Sequence, residues 1–160
     1  MNEVVVAKEF DDAIQEPVLR AMTGGPELIA MFGFVPWFHD DEIERLDLVS
    51  PGRSRLVLKA TTRNSHVEWS LCRVIFEIEE IVELGLQHFH KQNALFALRL
   101  RPAGEMAGLE RYGAEPSPDD IDIVLEPAVG MEGVIRCRGV SVAFHEMRSR
   151  RAKLRSADWP

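Results

Sequence analysis

The order of apolar and polar residues divides the chain into a helical N-terminal part and a longer part with the period of β-strands. Segments 17–22 and 26–32 each begin with a proline, which suits the first turn of a helix. Val4 to Val6 has the composition of a short strand. A glycine and a proline follow the second segment, so we expect an ordered loop over residues 33–41.

From residue 43 onward, apolar residues alternate with polar ones, as in strands with one buried face. Phe96, Leu98 and Leu100 are expected to share one such face. The alternation predicts strands over residues 43–48, 56–60, 71–78, 81–86, 95–100, 121–125 and 134–144. About seven strands and few helices indicate an α+β domain with short N-terminal helices and a single, largely antiparallel, strongly twisted sheet. We predict this domain over residues 1–147 and a basic tail over residues 148–160.

Turn signals predict where the sheet is interrupted. Ser50-Pro51-Gly52 is expected to form a hairpin turn, and residues 89–93 a corner. A tight turn or a bulge is expected at Glu79-Glu80, and a bulge at Gly139. Residues 102–119 contain three prolines and three glycines, and we expect them to form a long surface excursion.

Composition is typical of a globular protein that folds as one domain. The 160 residues are 46% hydrophobic and 28% charged, which suffices for a core without metal or disulfides. No signal peptide and no long apolar run is visible, so we expect a cytoplasmic protein that does not contact membranes. Cys72 and Cys137 lie in apolar runs without CxxC spacing and are expected to be buried free thiols.

The net charge of -7 is unevenly distributed along the chain. Residues 148–155 carry five basic groups and no acidic one, which leaves 14 basic against 26 acidic residues elsewhere. An acidic body repels nucleic acid and suits a basic protein partner. The alternative is that the charge serves only solubility. We expect the basic tail to be a solvated terminus.

His39-Asp40 is the first candidate for chemistry, because a histidine beside a carboxylate can shuttle protons. Adjacent residues seldom reach catalytic geometry, however, and no nucleophile motif accompanies this pair. A metal or ligand site would combine the pair with one of His88, His90 or His145, but no HExxH or paired CxxC spacing is present. We therefore predict a protein without cofactor or metal that is not an enzyme.

Residues 31–44 are the least average segment of the chain. Four aromatic residues occur within seven positions, and a histidine and an acidic cluster follow them. Aromatic side chains beside a negative surface are typical of binding hot spots. The predicted partner-binding residues are Trp37, Asp41, Glu42 and Glu44.

Two motifs resemble one known family. Residues 32–43, FGFVPWFHDDEI, resemble the opening signature of immunity-protein family 50 of bacterial polymorphic toxin systems. Residues 89–95, FHKQNAL, are similar to that family's Phe-Asn-x-Gln-Asn corner. Val35 and His90 depart from it, since the family tends to carry tryptophan and asparagine there. The resemblance extends weakly over residues 28–145.

The resemblance implies an α+β protein that binds a cognate toxin in the producing cell and blocks it without chemistry of its own. By position, His39, Asp40, Gln92 and Asn93 match the signature. Their residue types favour structural roles. Asn93 suits left-handed backbone geometry and can bond its own turn, and Gln92 can satisfy a backbone group. His39 and Asp40 are expected to bridge the loop to the corner. The sequence leaves self-association open.

Overall fold

The chain folds into an antiparallel β-barrel preceded by two helices. The computed structural model describes residues 3–63, 69–103 and 117–149. Its elements are α1 (Glu3–Ala21), α2 (Gly25–Phe32), β1 (Glu42–Asp47), β2 (Arg53–Arg63), β3 (Trp69–Gln87), β4 (Ala94–Pro102), β5 (Ile121–Val129) and β6 (Glu132–Ser149). The strands pair in the order β1-β2-β3-β6-β5-β4, and β4 returns to β1. The α+β class and the single antiparallel sheet are confirmed, with six strands in the described residues instead of seven.

The strand count differs because β3 is one long strand. The predicted strands 71–78 and 81–86 both belong to it, since β6 pairs along almost the whole of β3. An irregularity is present near the expected place, where Glu80 has a φ of 46° and the register shifts between Ile81 and Glu83. The bulge predicted at Gly139 is wrong, because Gly139 pairs regularly with Glu79 and the extra residue lies on β3.

The first helix is longer than the sequence indicates. Val4 to Val6 was expected as a strand but lies in α1, and Pro17 lies inside that helix instead of at its start. The β-propensity of three valines is a weak preference that a long helix can override. The second helix follows the prediction. It ends at Phe32, and Gly33 (φ 79°) donates its N–H to the carbonyl of Ile29 at 2.8 Å.

Parts of β4 and β6 have a neighbouring strand on one side only. The helical segment covers their other side. The buried Gln15 of α1 accepts a hydrogen bond from the N–H of Leu100 at 3.3 Å. The N–H of Val142 donates to the carbonyl of Thr23 at 2.9 Å, between the helices. Gly24 (φ 84°) makes this approach possible, because a Cβ there would lie 1.8 Å from the Val142 oxygen. Buried backbone groups at both edges are thereby paired.

The core fills the barrel and continues into the helices. Three rings, Phe32, Phe38 and Phe76, form edge-to-face contacts with centroids 5.7 and 5.9 Å apart, and so connect α2 and the following loop to the barrel interior. Cys72 and Cys137 are buried free thiols, as predicted. Burial raises the pKa of Cys72 to about 11 and that of Cys137 to about 12.

The end of the sheet lies close to the predicted domain boundary. β6 continues to Ser149, so the first two residues of the predicted basic tail belong to the barrel. The rest of that tail, and residues 104–116 of the predicted excursion, lie outside the described residues. In the part of the chain that the structure describes, no helix has the length and apolar character that crossing a membrane requires.

Candidate functional site

The barrel closes where β1 meets β4, and this closure brings the two sequence motifs together. The N–H of Ile43 donates to the carbonyl of Asn93 at 2.8 Å, and the N–H of Leu95 donates to the carbonyl of Asp41 at 2.8 Å. The N–H of Asp40 adds a bond of 2.9 Å to the carbonyl of Leu95. We call this region, residues 37–43 beside residues 92–98, the seam.

His39 and Asp40 lie on the outside of the seam. The His39 Nδ1 atom is 2.8 Å from the carbonyl oxygen of Phe96, and the two rings meet edge-to-face with centroids 5.2 Å apart. Asp40 has a φ of 63°, and its carboxylate is 3.5 Å from His39 Nε2. The side chains of His39 and Asp40 are 55% and 69% exposed. The loop is therefore bonded to β4, whereas the sequence predicted a bridge to the corner at residues 89–93.

Asn93 connects the corner to the turn between β5 and β6. Its side chain is buried, and its Oδ1 accepts hydrogen bonds of 3.0 Å from the N–H groups of His90 and Met131. Its Nδ2 donates to the carbonyl of His90 at 2.7 Å. Asn93 thus bonds its own turn as expected, but the left-handed backbone expected at Asn93 is found at His88, just before the corner, with a φ of 60°.

Gln92 and Glu42 join the motifs through their side chains. Gln92 Nε2 donates to the Glu42 carboxylate at 3.3 Å, so it bonds a side chain instead of the expected backbone group. Glu44 lies farther along β1, where Arg73 donates to its two oxygens at 2.6 and 2.8 Å. This pairing lowers the pKa of Glu44 and raises the pKa of Arg73. The charge of Glu44 is therefore largely balanced by a neighbour on β3.

Trp37 and Asp41 face the protein more than the solvent. The indole N–H of Trp37 donates to Asp12 of α1 at 2.9 Å, and the Arg99 guanidinium lies 5.9 Å from the ring centroid. Asp41 is only 7% exposed, and its carboxylate accepts the N–H of Thr61 at 3.0 Å. The contact role predicted for both residues stays a prediction, but these bonds fix them to α1 and β2.

Phe96 is a functional candidate that sequence reasoning missed. Alternation assigned Phe96 to the same face as Leu98, but in the structure Leu98 is buried and Phe96 is exposed. The register with β5 shifts between Leu95 and Ala97, so Phe96 is an extra residue and lies 48% exposed on the surface. Bulges of this kind leave no distinct signal in a single sequence.

Five side chains at the seam are exposed or half-buried, and we call them the seam patch. They are an aromatic ring, an imidazole, an amide and two carboxylates, and the exposed Lys59 stands opposite one of these carboxylates, Glu42, in the ladder of β1 and β2. Its members are His39, Asp40, Glu42, Gln92 and Phe96. Such a surface can bind a basic and partly apolar partner.

The histidines considered for a metal or catalytic site have separate neighbours. His88 Nδ1 lies 3.1 Å from the carboxylate of Glu132, and His145 stands opposite Arg73 in the ladder of β3 and β6. His39 contacts β4, as described above. In residues 3–63, 69–103 and 117–149, no three His, Cys, Asp or Glu side chains form a group that could hold a metal ion.

Known proteins provide no further assignment. No protein-family model, curated protein or solved structure matches the chain.

Proposed function

We propose that this protein is an immunity protein, which binds a cognate toxin of a bacterial polymorphic toxin system in the cytoplasm of the producing cell and occludes it. The observation that carries the proposal is the meeting of the two motifs at the seam. Residues 32–43 and 89–95 are far apart in sequence, yet their backbones are hydrogen-bonded to each other. A side-chain bond, from Gln92 Nε2 to the Glu42 carboxylate, joins the same two segments.

The chemistry of the seam patch supports protein binding over catalysis. Phe96 offers an exposed aromatic ring, which can be desolvated at the centre of an interface. His39 contacts this ring, Asp40 adds a carboxylate 3.5 Å from His39, and the whole chain is acidic. Such charges steer a basic partner toward the surface and speed its capture. Nucleic acid, with its negative backbone, would be repelled.

The motif residues divide into those that hold the seam and those that can contact a partner. Asn93, Asp41 and Trp37 make bonds within the protein and keep the two motifs in place. Asp40 and Phe96 are exposed and can be changed without leaving a buried group unpaired. This division allows binding to be tested separately from folding.

The test first looks for a secreted toxin encoded beside the gene for this chain and then uses the C-terminal domain of that toxin. The full chain is expected to capture the purified domain and to restore growth when the two are co-expressed. Asp40→Lys and Phe96→Ala are each expected to weaken capture about tenfold or more. Glu16→Lys is the matched control, because it makes the same change of charge on an exposed position of α1 and should leave capture unchanged.

Two results would contradict the proposal. One is the absence of capture and protection by the wild-type chain at micromolar concentration. The other is an equal loss of capture in Glu16→Lys and Asp40→Lys, which would mean that general acidity and not the seam patch is responsible. Thermal unfolding of each variant checks that the fold is retained.

A further inference from the structure

One edge of β3 is unpaired over its second half. β2 begins at Arg53, opposite Glu79, so residues 80–87 of β3 pair with β6 alone. On the side of residues 80–87 that faces away from β6, no backbone hydrogen bond arrives from a loop or another strand of the described structure. An edge of this kind presents N–H and C=O groups that can pair with an added strand.

The unpaired edge forms one wall of an apolar groove of about 630 Å³. The turn between β1 and β2 forms the opposite wall. Leu48 and Val49 of that segment are each 50% exposed, and Leu84 of β3 is 39% exposed. Pro51 and Ile81 complete the apolar lining. Large aliphatic side chains exposed together in a concave surface can receive the apolar side chains of an added segment.

The groove carries one carboxylate that nothing in the described structure balances. Glu77 and Glu79, on the same strand, lie 3.7 and 3.3 Å from the guanidinium of Arg53. Glu80 lines the groove and forms no ion pair with any residue that the structure describes. Its φ of 46° is unusual for a residue with a side chain and belongs to the irregularity in β3.

We propose that this groove binds an extended segment of a protein partner in which apolar and basic residues alternate. The segment adds as a strand to the edge of β3 between Ile81 and Gln87. Its apolar side chains enter the groove, and a lysine or arginine pairs with Glu80. Because this surface is separate from the seam patch, the inference does not depend on the proposed function.

A second copy of this chain fits the edge less well. The same edge of a second copy, residues 80–87, contains two glutamates and no lysine or arginine, so it would leave Glu80 without a balancing charge. A basic partner segment instead neutralises Glu80. Charge complementarity therefore selects a basic peptide as the occupant.

The probe is a short blocked peptide of alternating valine and lysine, titrated into the isotope-labelled full chain and followed by NMR. We expect chemical-shift changes and slower amide exchange at residues 81–87. Glu80→Lys should weaken the affinity about tenfold. Glu126→Lys, the same change on the outside of β5, should leave the affinity unchanged, and a peptide of valine and glutamate should not bind.

Three results would overturn the inference. They are no binding at about 1 mM peptide, shift changes confined to residues outside the groove, and equal affinity in Glu80→Lys and wild type. Leu84→Ala is a second check, because it removes an apolar side chain from the groove and leaves Glu80 in place. It should also weaken binding. Toxin capture by the same variants is read separately, so failure of the peptide to bind says nothing against the role of the seam patch.

Discussion

Replacing Asn93 with alanine tests whether the corner motif holds the fold. The change removes three hydrogen bonds of 2.7 to 3.0 Å and leaves the N–H groups of His90 and Met131 without their acceptor. The hydrogen bond from the Met131 N–H is buried, so leaving this donor without an acceptor costs about 1–3 kcal/mol. The His90 N–H is at an exposed corner, where water can replace the acceptor, and its loss costs about 0.5–1 kcal/mol. The free energy of unfolding should therefore fall by about 1.5–4 kcal/mol.

The assay is urea unfolding followed by circular dichroism, together with a thermal melt. For a chain of this size, about 1 kcal/mol lowers Tm by about 2–4 °C, so Asn93→Ala should melt roughly 5–15 °C below wild type. Gln92→Ala is the matched control. Gln92 precedes Asn93 in the chain, and its side chain makes a single exposed hydrogen bond of 3.3 Å to Glu42. Loss of this bond should change the unfolding free energy by less than about 0.5 kcal/mol.

A structural role of Asn93 is contradicted if Asn93→Ala unfolds within about 0.5 kcal/mol of wild type. It is also refuted if Gln92→Ala is destabilised as much as Asn93→Ala. Either result would mean that the corner is not held by the Asn93 amide. The motif would then have to be explained by contact with a partner.

Three further predictions concern ion pairs and thiols. Asp122 and Arg136 form a fully buried pair with bonds of 2.8 and 3.0 Å, so Arg136→Met should destabilise the protein by about 3–5 kcal/mol in urea unfolding; a loss below about 1 kcal/mol would contradict this. The hydrogen bond from Arg73 lowers the pKa of Glu44 from its ordinary value of 4.5. The ion pair therefore stabilises the fold above pH 4.5, and this stabilisation is lost as the pH falls through the pKa that Glu44 has in the folded protein. The difference between wild type and Glu44→Gln in urea should therefore vanish in acid, and a constant difference would contradict the pairing. Cys72 and Cys137, with pKa values of about 11 and 12, should resist an aromatic disulfide reagent at about pH 8 until the protein is unfolded; rapid reaction of the folded chain would show that they are accessible.

Much of the barrel was predictable because most strands bury one face. Alternation in β2 places Leu56 and Leu58 inside the barrel, and the hairpin turn at residues 50–52 follows from its proline and glycine. The continuity of β3 was not predictable, since it depends on pairing with β6, which is distant in sequence. The exposure of Phe96 was hidden for a similar reason, because the bulge exists only in the register with β5.

The candidate site could be predicted only in part. The two motifs were recognisable, and the structural use of Asn93 follows from the chemistry of an amide at a corner. Their meeting at the seam depends on barrel closure, which local sequence does not encode. The inward bonds of Trp37 and Asp41 likewise depend on α1 and β2. The predicted contact surface therefore shifts toward Asp40 and Phe96.

The most direct test of partner binding at the seam is hydrogen–deuterium exchange on the full chain, alone and mixed with the C-terminal domain of a secreted toxin encoded next to its gene. The account predicts that the complex forms and that exchange slows at residues 37–44 and 92–98, the two sides of the seam. Failure to form a complex, or slower exchange confined to other parts of the barrel, would contradict it.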